Sequence, residues 1–192
     1  MHETKEKILQ QALQFVSLYG LDALSIGKLA KDTKMSKSGL FAHFNSKENL
    51  QIAVLEYSAQ RFTEVVFRPA TKAPRGVARI RALVDLWPNW IGSKTVAGDC
   101  PILSSLTEFD EKVGPVWDCL FRLTNQYHQS IVTMAQITLD EGEFKPDTNP
   151  EQFAFEFISL LLGYQAMRKL PLDPEKKWLK GVESLIERNE VS

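Results

Sequence analysis

The sequence predicts an all-α protein of about nine helices, on three observations. Apolar residues recur at the helical period through nearly every segment, and no stretch keeps the period-two alternation of a half-buried strand. Proline and serine stand where helices start. The 192 residues, 44% hydrophobic and 24% charged, can bury an apolar core without disulfide or metal staples. Cys100 and Cys119 form no framework and no CxxC pair, so the thiols read as buried or incidental. No apolar run reaches the length of a membrane span, and the polar start from Met1 to Lys7 is no secretory signal. A cytoplasmic protein without membrane contact is expected.

The first helix carries Ile8, Ala12, Phe15 and Tyr19 on one face, and Gly20 suits the position after its end. Ser25 caps a short second helix that turns Ile26, Leu29 and Ala30 inward. Ser36 caps a third with Leu40, Phe41 and Phe44, and Ser46 a fourth, with Glu48 in its first turn. That fourth helix should stop near Phe67, where Arg68-Pro69 blocks continuation. The stretch from Pro69 to Gly76 is a linker. A fifth helix runs through Ile80, Leu83, Val84 and Trp87 to a bend at Pro88, and Gly92 to Asp99 is loop. Pro101 and Pro115 open a short sixth helix and a long seventh that ends near Gly142. Asn149-Pro150-Glu151 and Asp173-Pro174-Glu175 are matched starts for an eighth and a ninth, each a cap, a proline and an acid.

Net charge is only −1, yet its distribution is uneven. From Ser25 to Lys47 five lysines (28, 31, 34, 37 and 47) meet a single acid, Asp32, a local +4 on a body of −5. Such a stretch fits a DNA-reading tip, and fits a solvated lysine face as well. The second and third helices, joined by about three residues, have the rhythm of a helix-turn-helix. The third is too short to stand alone and must be held by its neighbours. Its outer face then offers Lys37, Ser38, Gly39, Phe41 and His43, the donors, small residues and aromatics that base edges and phosphates accept. Lys47, at the next helix start, suits a backbone phosphate.

A long first helix, Leu24-Ser25-Ile26 with Leu29-Ala30, Met35 to Phe44 (MSKSGLFAHF) and Ser46-Lys47-Glu48 together resemble the DNA-binding domain of the tetracycline-repressor (TetR) family, over about Lys5 to Leu55. The resemblance implies that Ser25 and Gly27 lie near phosphate and that Lys37, Ser38 and Gly39 enter the major groove. It implies backbone contacts for His43 and Lys47, and places Phe41 where a tyrosine is often found. Lys34 stands where the turn often has glycine, and a left-handed lysine there costs ~1–2 kcal/mol.

The implied organisation is a DNA-binding domain over 1–47, a linking helix over 46–67, and an effector-binding and dimerisation body over 48–192. The implied function is a homodimeric regulator, a repressor released from a near-palindromic double-stranded operator by a small apolar effector. Candidate pocket residues are Trp87, Phe109, Trp117, Phe121, Tyr127 and Phe157. Candidate dimer-interface residues are Phe153, Phe157, Leu161, Tyr164, Trp178 and Leu185. The alternative is an all-helical ligand-binding or adaptor protein whose helical corner contacts a protein partner. Neither a cofactor nor a metal is expected: His43 has no partner at ligand spacing, and His2 and His128 are isolated. Glu108, Asp110 and Glu111 form an acidic cluster that reads as solvated. Without a nucleophile elbow, phosphate loop or HExxH, the chain is not expected to be an enzyme.

Overall fold

The computed structural model describes residues 2–33, 35–108 and 113–191. Lys34, Phe109, Asp110 and Glu111 therefore lie outside the described residues, and with them the expectation of a left-handed lysine in the turn. The described residues form nine helices of eight or more residues. They are α1 (His2–Tyr19), α2 (Ile26–Thr33), α3 (Lys37–Phe44), α4 (Lys47–Phe62), α5 (Val77–Leu86), α6 (Pro101–Glu108), α7 (Pro115–Asp140), α8 (Pro150–Met167) and α9 (Pro174–Asn189). Only isolated bridges, Ile91 with Val96 and Phe144 with Glu190, pair extended backbone among those residues. The all-α expectation is met.

Helix ends follow the local chemistry at most positions. Gly20 adopts φ 85° and its N–H closes on the Val16 carbonyl at 2.8 Å. The Ser25, Ser36 and Ser46 hydroxyls accept the N–H groups of Lys28, Gly39 and Asn49 at 3.2, 3.0 and 3.0 Å. Two expectations are corrected. The chain does not leave the helix at Arg68-Pro69. A π-helical turn, Thr63–Phe67, absorbs the mismatch, and Pro69 sits in the first turn of a last helical piece, Arg68–Ala70, where its missing N–H costs nothing. Asn149 caps α8 through two N–H groups at 3.0 and 3.1 Å, but its counterpart Asp173 is left-handed, at φ 48°, and makes no side-chain cap. A cap needs extended backbone to turn its oxygen onto the first turn, and Asp173 lacks it.

The chain packs as two compact units, Met1–Thr63 with Trp90–Thr124, and Glu64–Asn89 with Asn125–Ser192. In the first, Ile8, Ala12 and Val16 meet Leu29, Leu40, Phe44, Leu50, Val54, Val116 and Leu120 in one apolar core. Each large side chain so buried contributes ~1.5–3 kcal/mol. The loop before α6 is fastened to α1: the Asp99 and Gly98 N–H groups donate to the Ser17 carbonyl and hydroxyl at 2.8 and 3.2 Å. Gly98 is required there, since a β-carbon would stand 1.9 Å from the Ser17 oxygen.

In the second unit Phe144, Phe153 and Phe157 form a ring ladder, and Tyr164 stacks on Trp178 with centroids 5.1 Å apart. The Arg81 guanidinium donates to Glu183 and Glu190 at 2.6 and 3.0 Å, which ties α5 to α9 and strengthens its hold on the proton. Among the described residues no helix is long and apolar enough to cross a membrane.

Candidate nucleic-acid interface

Two turns of helix cannot hold themselves together in water, so α3 depends on what it packs against. Leu40 and Phe44, at 0% and 3% exposure, pin it into the core of the first unit, while Leu29 and Ala30 of α2 close the angle behind it. Lys37, Ser38, Phe41 and Ala42 are exposed, and Gly39 and His43 half-buried. Phe41 is 53% exposed and presents its ring on the outward side of α3. Ser38 shares a hydrogen bond with the Ser36 hydroxyl at 3.2 Å, and the His43 ring lies 6.2 Å from that of Phe44.

Ser25 and Gly27 stand half-buried at the start of α2, the serine hydroxyl engaged as cap. Lys47, at the start of α4, is already paired: its ammonium donates to the Asp22 carboxylate at 2.9 Å and to the Asp22 carbonyl at 2.8 Å. Both side chains remain largely exposed, at 46% and 78%.

The turn between α1 and α2 is gripped by two further residues that the sequence did not single out for that task. Gln51, buried on α4, donates to the Leu21 carbonyl at 2.9 Å. Glu108, at the end of α6, accepts the Leu21 and Asp22 N–H groups at 2.7 and 3.0 Å. This corrects the reading of Glu108 as a solvated acid: the turn leaves two amide donors without a backbone partner, and its carboxylate supplies both. Lys5 was also missed. Its ammonium sits 5.8 Å above the Phe44 ring, adding a cation beside α3, and that of Lys28 lies 5.9 Å from the Phe15 ring of α1.

The expected pocket residues divide between the units. Trp87 and Tyr127 meet with ring centroids 5.9 Å apart in the second unit, where Phe157 stacks on Phe153. Trp117 packs on the core of the first unit, and Phe121 is 62% exposed. Phe109 lies outside the described residues. Of the expected interface residues, Phe153, Phe157, Leu161, Trp178 and Leu185 are buried within the single chain, at 3% exposure or less. Tyr164, Trp178 and Leu185 line an apolar groove of about 520 Å³ between α8 and α9, with Phe155, Leu160, Met167 and Leu172. Burial pushes both thiols up: Cys100 fully enclosed, Cys119 despite Arg122 nearby. The described residues hold no cluster of three or more His, Cys, Asp or Glu suited to a metal.

Comparison with known proteins adds the following. Residues 8–54 match the family model described as bacterial regulatory proteins, tetR family, and residues 76–177 that of the tetracyclin repressor-like C-terminal domain. Over 96 residues, 49% of its length, the chain is 29% identical to the HTH-type transcriptional regulator YuxN of Bacillus subtilis. Over 57 residues, 30% of its length, it is 33% identical to YerO, another such regulator of that organism. The chain spans only 33% and 20% of those two relatives. A TetR transcriptional regulator from Chloroflexus aurantiacus shares the fold over 98% of this chain and 96% of its own, at TM-score 0.86 and 22% identity. A TetR-family regulator from Cytophaga hutchinsonii does so over 99% and 96%, at 0.84 and 20%. AibR, crystallised with isovaleryl coenzyme A and operator DNA, matches over 96% of each chain, at 0.71 and 21%.

Proposed function

Because the chain belongs to the TetR family of transcriptional regulators, we propose that it is a repressor that binds a near-palindromic DNA operator as a homodimer and leaves it when a small apolar effector binds. The observation that carries the DNA-binding reading is the outward face of α3. Lys37, Ser38 and the Phe41 ring stand clear of a helix whose other side is fixed by Leu40 and Phe44. In this reading residues 1–47 form the reading head, with Lys37, Ser38 and Gly39 in the major groove and Phe41 against the sugar-phosphate wall. Ser25, Gly27, His43 and Lys47 flank the backbone. Lys47 exchanges part of its hold on Asp22 for a phosphate.

The groove between α8 and α9 supports dimerisation, because Phe155 and Met167 leave apolar rings and chains in water unless a second copy covers them. Two heads would then read half-sites whose centres lie ~34 Å apart or a multiple of that. The effector reading is supported by the Trp87–Tyr127 aromatic pair and, by analogy and only as to the presence of a ligand, by AibR, which was solved with isovaleryl coenzyme A and operator DNA. The ligand loosens DNA only by as much as it prefers the form that spaces the heads wrongly.

Selection of bound sequences from a random duplex library tests this. Recovery of a two-fold symmetric site, bound with an affinity that falls steeply with salt, is the expected result. A protein that retains no duplex at low salt is not a DNA-binding regulator.

A further inference from the structure

Lys37, the first residue of α3, runs its side chain back across the first turn of α2. Its Cε and Nζ lie 3.5 and 3.8 Å from the point that a β-carbon on Gly27 would occupy. Alanine would fit there in ordinary contact, whereas any longer side chain competes with the lysine stem for one volume. A lysine whose far end lies against a neighbouring helix holds its ammonium in fewer orientations than one wholly in water. A contact formed by a pre-placed charge also loses less on binding.

We infer that Gly27 is a positioning residue. Lacking a side chain, it leaves open the space at the start of α2 into which the end of Lys37 reaches, so that residues on two helices make one contact. The inference rests on the DNA-binding reading above. It adds an indirect role to a position that flanks the DNA backbone, and it makes the residue at position 27 decide where the Lys37 charge meets the duplex.

The experiment titrates the duplex selected on the wild-type protein against wild type, Gly27→Leu, Lys37→Ala and the Gly27→Leu/Lys37→Ala double variant, over a range of salt. Lys37→Ala should weaken binding about tenfold and flatten the log–log salt slope by about one. Gly27→Leu should reproduce both changes, and the double variant should be no worse than either single. Leucine is a better helix former than glycine, so lost binding would not reflect a weakened α2. Gly27→Gln repeats the comparison with a polar chain should the leucine variant lose helicity. Gly27→Leu that binds like wild type, losses that add in the double variant, or weakening with an unchanged slope would each overturn the inference while DNA binding stands. A wild-type protein that binds no duplex overturns both.

Discussion

Asp22 holds the Lys47 ammonium twice, through its carboxylate at 2.9 Å and its own carbonyl at 2.8 Å. A pair this exposed adds little to stability, ~0–1 kcal/mol, so its consequence is local charge. The acid neutralises the lysine proposed to meet a phosphate. Asp22→Asn keeps both acceptors and removes the charge, and should tighten operator binding severalfold at low salt, with the gain fading as salt is added. Lys47→Ala should weaken binding and flatten the salt slope by about one. Gel-shift titration at several salt concentrations checks both. Unchanged affinity in both variants would remove Lys47 from the interface.

Glu108 is predicted to act on stability. Glu108→Ala leaves the Leu21 and Asp22 amides without their carboxylate and should cost about 1.5–3 kcal/mol. Glu108→Gln, which keeps an acceptor but no charge, should cost less. Urea unfolding gives the order. If Glu108→Ala is as stable as wild type, water replaces the carboxylate and the grip on the turn is incidental.

The helices were legible because their start signals are local: serine caps at 25, 36 and 46 and prolines at 101, 115 and 150 act within one turn of themselves. The same locality explains the failures. Asp173 carries the residue type of a cap but not its backbone, which the preceding chain sets. The outward face of α3 was readable from the spacing of Leu40 and Phe44. The partners of Leu21 were not, since Gln51 and Glu108 approach from 30 and 87 positions away. Gln51 left one trace, an amide beside Leu50 on the buried side of α4. Phe153 and Phe155 differ by helical spacing alone: Phe153 shares the buried stripe of Phe157, Leu161 and Tyr164, and Phe155 lies off it.

The thiols should be inert. Burial raises both Cys100 and Cys119, so the thiolate fraction at neutral pH falls below that of a free cysteine. With a thiol-reactive chromophore at pH 7–8, native protein should label no faster than it unfolds, and denatured protein should release both equivalents at once. Labelling of Cys119 within mixing time would mean that Arg122, at 3.6 Å, outweighs burial there and that the thiol is accessible.

The α8–α9 groove makes the sharpest prediction about assembly. Phe155 is 62% exposed, so the fold of one chain does not depend on it, unlike Trp178 at 3% beneath. Phe155→Arg should therefore keep helicity and unfolding midpoint while placing a guanidinium on the apolar rim that a second copy would cover. An unpaired charge buried in an interface costs several kcal/mol, enough to dissociate a dimer at micromolar concentration. Light scattering should give twice the 21.8-kDa chain mass for wild type and the single mass for the variant. Phe155→Leu, which keeps the contact apolar, should remain dimeric. The monomeric variant should also bind a two-half-site duplex no better than one half-site, because each head then binds alone. A wild-type monomer, or a Phe155→Arg dimer of undiminished affinity, would move the subunit contact off this groove.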